Sequence, residues 1–219
     1  MATKSFCAGD IKNAKILVIG HDPRLQVSNT VADFAFFGEY YFKQIPTQTK
    51  ELRKYKLAAA VYDYISHLTS HSFLAKQIVL TNLCNKALPH APKGKTVYIP
   101  EAEARNGITA IQNILSQSSI EVIFAMSEQV NYWLQKLEFY MGETQFLSSS
   151  EPKVRGRSHN PPFYEPTQGR AFTQICGNRY LTGDGRSVVP ILHVKQWPLR
   201  GPFTKAYGKA YETCINALK

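Results

Sequence analysis

Four apolar runs in this 219-residue chain each lead into a polar side chain able to do chemistry. They are KILVIG (Lys15 to Gly20), QIVLTNL (Gln77 to Leu83), IEVIFAMS (Ile120 to Ser127) and SVVPILHV (Ser187 to Val194). At or just beyond their ends stand Asp22, Asn82, Ser127 and His193. A carboxylate and an imidazole are the usual partners of general acid–base chemistry. An amide carries donors and an acceptor on one small group, so it can read two adjacent atoms of a ligand. Brought together, these groups would form one polar site.

The elements that would bring them together are strands. Short β-branched runs separated by helix-patterned segments predict βαβ units and a parallel sheet. In such a sheet, ligands sit beyond the carboxyl ends of the strands. The first helix is expected over Lys50 to Thr69, with Tyr55, Ala59, Tyr62, Ile65 and Leu68 at helical spacing. A second starts near Pro100 and buries Ile108, Ile111 and Leu115. A third follows Ser127, with Val130, Trp133, Leu134 and Leu137 on one side. The last covers Thr204 to Leu218, with Cys214 on its inner stripe. The alternation predicts one domain over residues 1–219, with three layers (α/β/α) around a central four-stranded parallel sheet.

Composition narrows the partners. Apolar residues make up 44%, ordinary for a globular chain, and the formal charge is +10. That excess favours a polyanion, nucleic acid first. No run is long enough to span a bilayer, and MATKSFCAGD lacks the apolar core of a signal peptide, so an intracellular protein is expected. Cys7, Cys84, Cys176 and Cys214 are scattered, without metal or iron–sulfur spacing, and are expected to be reduced thiols. Residues 148–185, rich in Ser, Pro, Gly, Arg and Asn, are expected to form a long irregular insertion. Its Lys153, Arg155, Arg157 and Arg170 either line a nucleic-acid path or belong to a solvated loop. Within it, QICGNRYLTGDGR has a turn signal at Gly183-Asp184-Gly185 and fits a small hairpin. No G-x-S-x-G, G-x-G-x-x-G or Walker loop is present, which disfavours an acyl-transfer serine or a nucleotide cofactor.

The first strand continues as Gly20-His21-Asp22-Pro23-Arg24-Leu25. Gly20 lets backbone approach a ligand, and Asp22 either enters the crevice or closes an Asx-turn. This stretch resembles the strand–GQDPYH motif of the uracil-DNA glycosylase superfamily. Further resemblances follow in order along most of the chain. Phe34-Ala35-Phe36-Phe37-Gly38 is similar to the family's aromatic loop, and Leu80-Thr81-Asn82-Leu83 to its second strand end. Val122 to Ser127 resembles its third strand. His193-Val194-Lys195-Gln196-Trp197-Pro198, then Arg200-Gly201-Pro202-Phe203, resembles HPSPLS followed by RGFF.

The resemblance implies a DNA glycosylase, monomeric and without a cofactor, that binds DNA and hydrolyses the bond between sugar and a flipped base. Asp22 and His193 would be catalytic, the first facing the cationic sugar and the second the departing base. Gly20, His21, Phe36 and Asn82 would bind the base, Phe36 by stacking (Phe34 and Phe37 being alternatives) and Asn82 by reading its edge. Arg24, Arg155, Arg157, Lys195, Trp197, Leu199 and Arg200 would contact DNA, with Trp197 or Leu199 as the wedge. The departures are also plain. Arg24 replaces the family's tyrosine, His21 its glutamine, and the last motif lacks its first proline and serine. The alternative is therefore a nucleic-acid-binding module on the same fold that no longer hydrolyses.

Overall fold

A computed structural model of the chain describes residues 7–8, 10–21, 52–69, 77–86, 88, 96–150, 163–164 and 170–194. Among them, eight strands and five helices alternate. The strands are β1 (Cys7–Ala8), β2 (Ile16–Gly20), β3 (Ile78–Asn82), β4 (Thr96–Val97), β5 (Val122–Met126), β6 (Phe163–Tyr164), β7 (Tyr180–Leu181) and β8 (Ser187–Ile191). The helices are α1 (Leu52–Thr69), α2 (Glu101–Ser116), α3 (Glu128–Lys136), α4 (Thr144–Ser149) and α5 (Arg170–Ile175).

The four apolar runs are the four long strands, and each pairs in parallel with its neighbour. The sheet order is β1-β3-β2-β5-β8-β7, with β4 and β6 forming a separate antiparallel pair. The expected four-stranded parallel sheet is thus the centre of a six-stranded mixed one. The two added edge strands are two residues long and antiparallel. Pieces so short carry no period-2 signal, which is why the sequence does not announce them. The edge strand β7 and β8 form the expected hairpin around Gly183-Asp184-Gly185. Elsewhere, the stretch expected to be a long irregular insertion also holds β6 and α5.

All five residues of β2, of β3 and of β8 are buried. Successive strand side chains face opposite ways, so both faces of the sheet centre are covered. The core fills with Leu17, Leu80, Phe124 and Val189 from strands, and with Tyr64, Leu68, Ile111 and Trp133 from helices. Pro190 is tolerated within β8 because its carbonyl turns away from β5, accepting from the Gly177 N–H at 2.8 Å, so its missing donor interrupts no ladder to β5.

The first three expected helices are present. On α1 the buried stripe is Val61, Tyr64, Ile65 and Leu68. Pro100 is the extended N-cap of α2, which starts where expected. Glu101 and Glu103 complement the dipole of α2, and its inner face buries Ala104, Gly107, Ile108, Ile111, Ile114 and Leu115. The last expected helix lies outside the described residues. Cys84 and Cys176 are buried, and neither forms a disulfide among the described residues. Among the described residues no helix is long and apolar enough to cross a membrane, and no cluster of metal-ligating side chains occurs.

Candidate active site

Along the chain the parallel strands run β2, β3, β5, β8, but across the sheet they lie β3, β2, β5, β8. The connection after β2 goes to one side, and the later strands add on the other. That reversal makes the carboxyl ends of β2 and β5 a topological switch point, where open α/β sheets bind ligands. Every polar strand end singled out in the sequence and described in the structure falls along this edge.

Asn82 closes β3 directly opposite Gly20, the last residue of β2. The ladder runs on past both strands: Leu83 N–H donates to the Gly20 carbonyl (2.8 Å) and Cys84 N–H to the His21 carbonyl (3.0 Å). The backbone that leads into Asp22 is thereby fixed as far as His21. Helix α2 backs this register. A Cβ on Gly107 would run into the Leu83 carbonyl, so only glycine lets α2 lie this close to the strand end beside Asn82. Asn82 is 2% exposed, and its Nδ2 has no hydrogen-bond partner among the described residues.

On the other side of the switch point, Ser127 joins β5 to α3 as a one-residue connection. Its backbone stands at φ 82°, ψ 154°, a region that glycine occupies and other residues avoid. Both flanking peptides are tied down. Ser127 N–H donates to the Ile191 carbonyl (3.2 Å), and its own carbonyl accepts from Asn131 N–H (3.2 Å) and Asn131 Nδ2 (2.8 Å). Asn131 also donates to the Ala125 carbonyl (2.8 Å) and accepts from the Tyr140 hydroxyl (3.1 Å). Burial pushes the Tyr140 phenol far above its ordinary range, so it stays a neutral donor. Ser127 occupies the N-cap position, yet its hydroxyl caps nothing and is buried without a partner among the described residues. No base touches that oxygen among the described residues.

Behind the edge lies α3, a helix whose polar side chains face inward: Glu128, Gln129, Asn131 and Gln135 are all buried. Gln129 Oε1 accepts from Ile99 N–H (2.6 Å), while Nε2 donates to the Val97 carbonyl (2.8 Å) and meets His21 Nε2 at 2.7 Å. Glu128 accepts from the Ser150 hydroxyl at 3.3 Å. His193 stands two residues beyond β8 and is half-buried. Three strand spacings separate the ends of β3 and β8, about 14 Å between backbones.

The structure therefore brings Gly20, His21, Asn82 and His193 to one edge. Asp22, Arg24, Phe36, Arg155, Arg157, Lys195, Trp197, Leu199 and Arg200 lie outside the described residues. Sequence reasoning gave Ser127 little weight and passed over Gln129 and Asn131. One signal was legible: a strand and a helix meet at Ser127 with no glycine to make the turn. The amides gave none, because a Gln or Asn on a helix reads as surface until its burial is known. No protein-family model and no curated protein matches this chain.

Proposed function

We propose that the chain is a DNA glycosylase of the uracil-DNA glycosylase type, hydrolysing the N-glycosidic bond of a deaminated or damaged base flipped out of DNA. The observation that carries this reading is the unpaired, buried amide donor of Asn82 beside Gly20. A buried donor without an acceptor costs about 1–3 kcal/mol. A site tolerates that cost when its ligand supplies the acceptor, and a base carbonyl is such an acceptor. Fully buried strands support the finer fold reading too, helices covering both faces of the sheet in three layers.

In this reading the base enters the crevice at the switch point. Asn82 Nδ2 donates to a base carbonyl and Oδ1 accepts the adjacent ring N–H. Phe36 stacks on the base face. As the bond between the sugar C1′ and the base nitrogen breaks, its electron pair leaves with the base. His193 donates a hydrogen bond to the oxygen where that charge collects, and Asp22 faces the cationic sugar and orients the attacking water. The +10 charge supplies affinity for the phosphates.

The test is excision from a panel of modified bases in single- and double-stranded DNA, with Asp22→Asn as the diagnostic variant. Asp22→Asn is expected to lose about 10²–10⁴-fold in turnover while retaining DNA affinity, because the charge acts on the transition state. Unchanged turnover in Asp22→Asn rejects the assignment. DNA binding with no excision of any base by the wild type favours the binding module. Arg24 in place of the tyrosine and the altered motif after His193 are the observations on that side.

A further inference from the structure

We propose that Gln129 is a positioning residue that holds His21 as a neutral imidazole protonated on Nδ1, so that His21 serves this site as an uncharged hydrogen-bond donor. Two backbone groups around Gln129 have roles that are not open to choice. Ile99 N–H can only donate, so the Gln129 atom 2.6 Å from it is the carbonyl oxygen. The Val97 carbonyl can only accept, so the Gln129 atom 2.8 Å from it is the NH₂ group. Both readings agree, and the amide cannot be flipped without losing both bonds. Its second NH₂ hydrogen then points at His21 Nε2, 2.7 Å away. That nitrogen must accept. An imidazole that accepts at Nε2 is uncharged and carries its proton at Nδ1. A Nε2–H tautomer or an imidazolium would set hydrogen against hydrogen in a pocket where Gln129 is 1% and His21 8% exposed.

The consequence reaches the chemistry, and there it rests on the glycosylase reading. His21 immediately precedes Asp22 and stands at the switch point. With one nitrogen engaged by Gln129 and the other protonated, it is neither a general base nor a cation. Whatever meets Nδ1 must be an acceptor: a carboxylate, a carbonyl oxygen or a ring nitrogen lone pair. A neutral imidazole in this state does what a side-chain amide does, donating without charge, which is how histidine can stand where the resembling family has glutamine.

The test reads the ring directly. The full chain is labelled with ¹⁵N-histidine, long-range ¹H–¹⁵N correlations are recorded at neutral pH, and the His21→Gln spectrum assigns the signals. The expected pattern is an acceptor-type Nε2 and a protonated Nδ1. A protonated Nε2, alone or together with Nδ1, overturns the proposal. In Gln129→Glu the carboxylate can only accept, so a proton is expected to appear on Nε2; an unchanged ring in that folded variant overturns the control by Gln129. Should Gln129→Glu not fold, Gln129→Met takes its place, and loss of the single tautomer is the expected result. On the best base substrate, kcat/KM of the folded variant is expected to fall about tenfold or more, as when a reacting group's neighbour is misplaced. Unchanged kinetics with a shifted tautomer overturns the functional role. Absence of excision in the wild type counts against the glycosylase reading alone, because the ring pattern is read without substrate.

Discussion

Replacing Ser127 by glycine is expected to make the protein more stable and its site poorer. At φ 82°, ψ 154° a residue with a Cβ is strained by about 1–3 kcal/mol. The buried hydroxyl without a partner adds about 1–3 kcal/mol of uncompensated desolvation. Glycine removes both and costs about 0.5–1 kcal/mol in unfolded-chain entropy. The net gain is then at least about 1 kcal/mol, and a gain of about 2 kcal/mol raises the melting midpoint by about 4–8 °C in a domain of this size. Ser127→Ala separates the contributions, since it loses the hydroxyl and keeps the strain. Glycine is therefore expected to exceed alanine by about 1–2 kcal/mol in chemical denaturation at equal m-values. Both variants lose the hydroxyl from the switch-point edge, so both are expected to lower excision or DNA affinity to a similar degree, about 2- to 10-fold for one hydrogen bond. An alanine variant as stable as the glycine variant would refute the backbone argument. Undiminished excision and DNA binding in both variants would remove the hydroxyl from the site.

Gly107→Ala is expected to cost about 1–3 kcal/mol of stability and to lower excision, because the new methyl group meets the Leu83 carbonyl next to Asn82. Gly183→Ala, with open space around it, serves as the control and is expected to stay within about 0.5 kcal/mol of wild type. Thermal stability is expected to hold through neutral pH and to fall as pH rises above about 10, the ordinary tyrosine range. Desolvation raises the phenols of Tyr140, Tyr98 and Tyr180, so the folded protein keeps protons that unfolded chains release. A melting midpoint in Tyr140→Phe that drops as steeply as wild type between pH 9 and 11 would reject Tyr140 as the main source. DNA binding is expected to weaken with salt at a log–log slope of about −0.9 per phosphate contacted on duplex DNA, and a flat dependence would point to a small-molecule substrate.

The sequence by itself determined the local parts of this protein. Four β-branched runs became the four parallel strands, three helical patterns became α1 to α3, and a Gly-Asp-Gly turn closed the β7–β8 hairpin. Such features depend on periodicity and turn chemistry within about a dozen residues. The polar strand ends were legible for the same reason: a strand's carboxyl end is a local fact. Which ends become neighbours is not. The tertiary structure placed β2 between β3 and β5, and so set Gly20 opposite Asn82 and made the switch point between His21 and Ser127. It also decided that Gln129 and Asn131 turn inward rather than outward, against Val97, Ile99, Ala125 and Ser127. An amide's sequence context is the same whether it faces water or a buried carbonyl. Only packing removes the water, and once water is gone each buried donor must find an acceptor or stand unpaired. Gln129 and Asn131 find theirs in the fold, whereas the Asn82 donor and the Ser127 hydroxyl stand unpaired among the described residues along the edge where a ligand would bind.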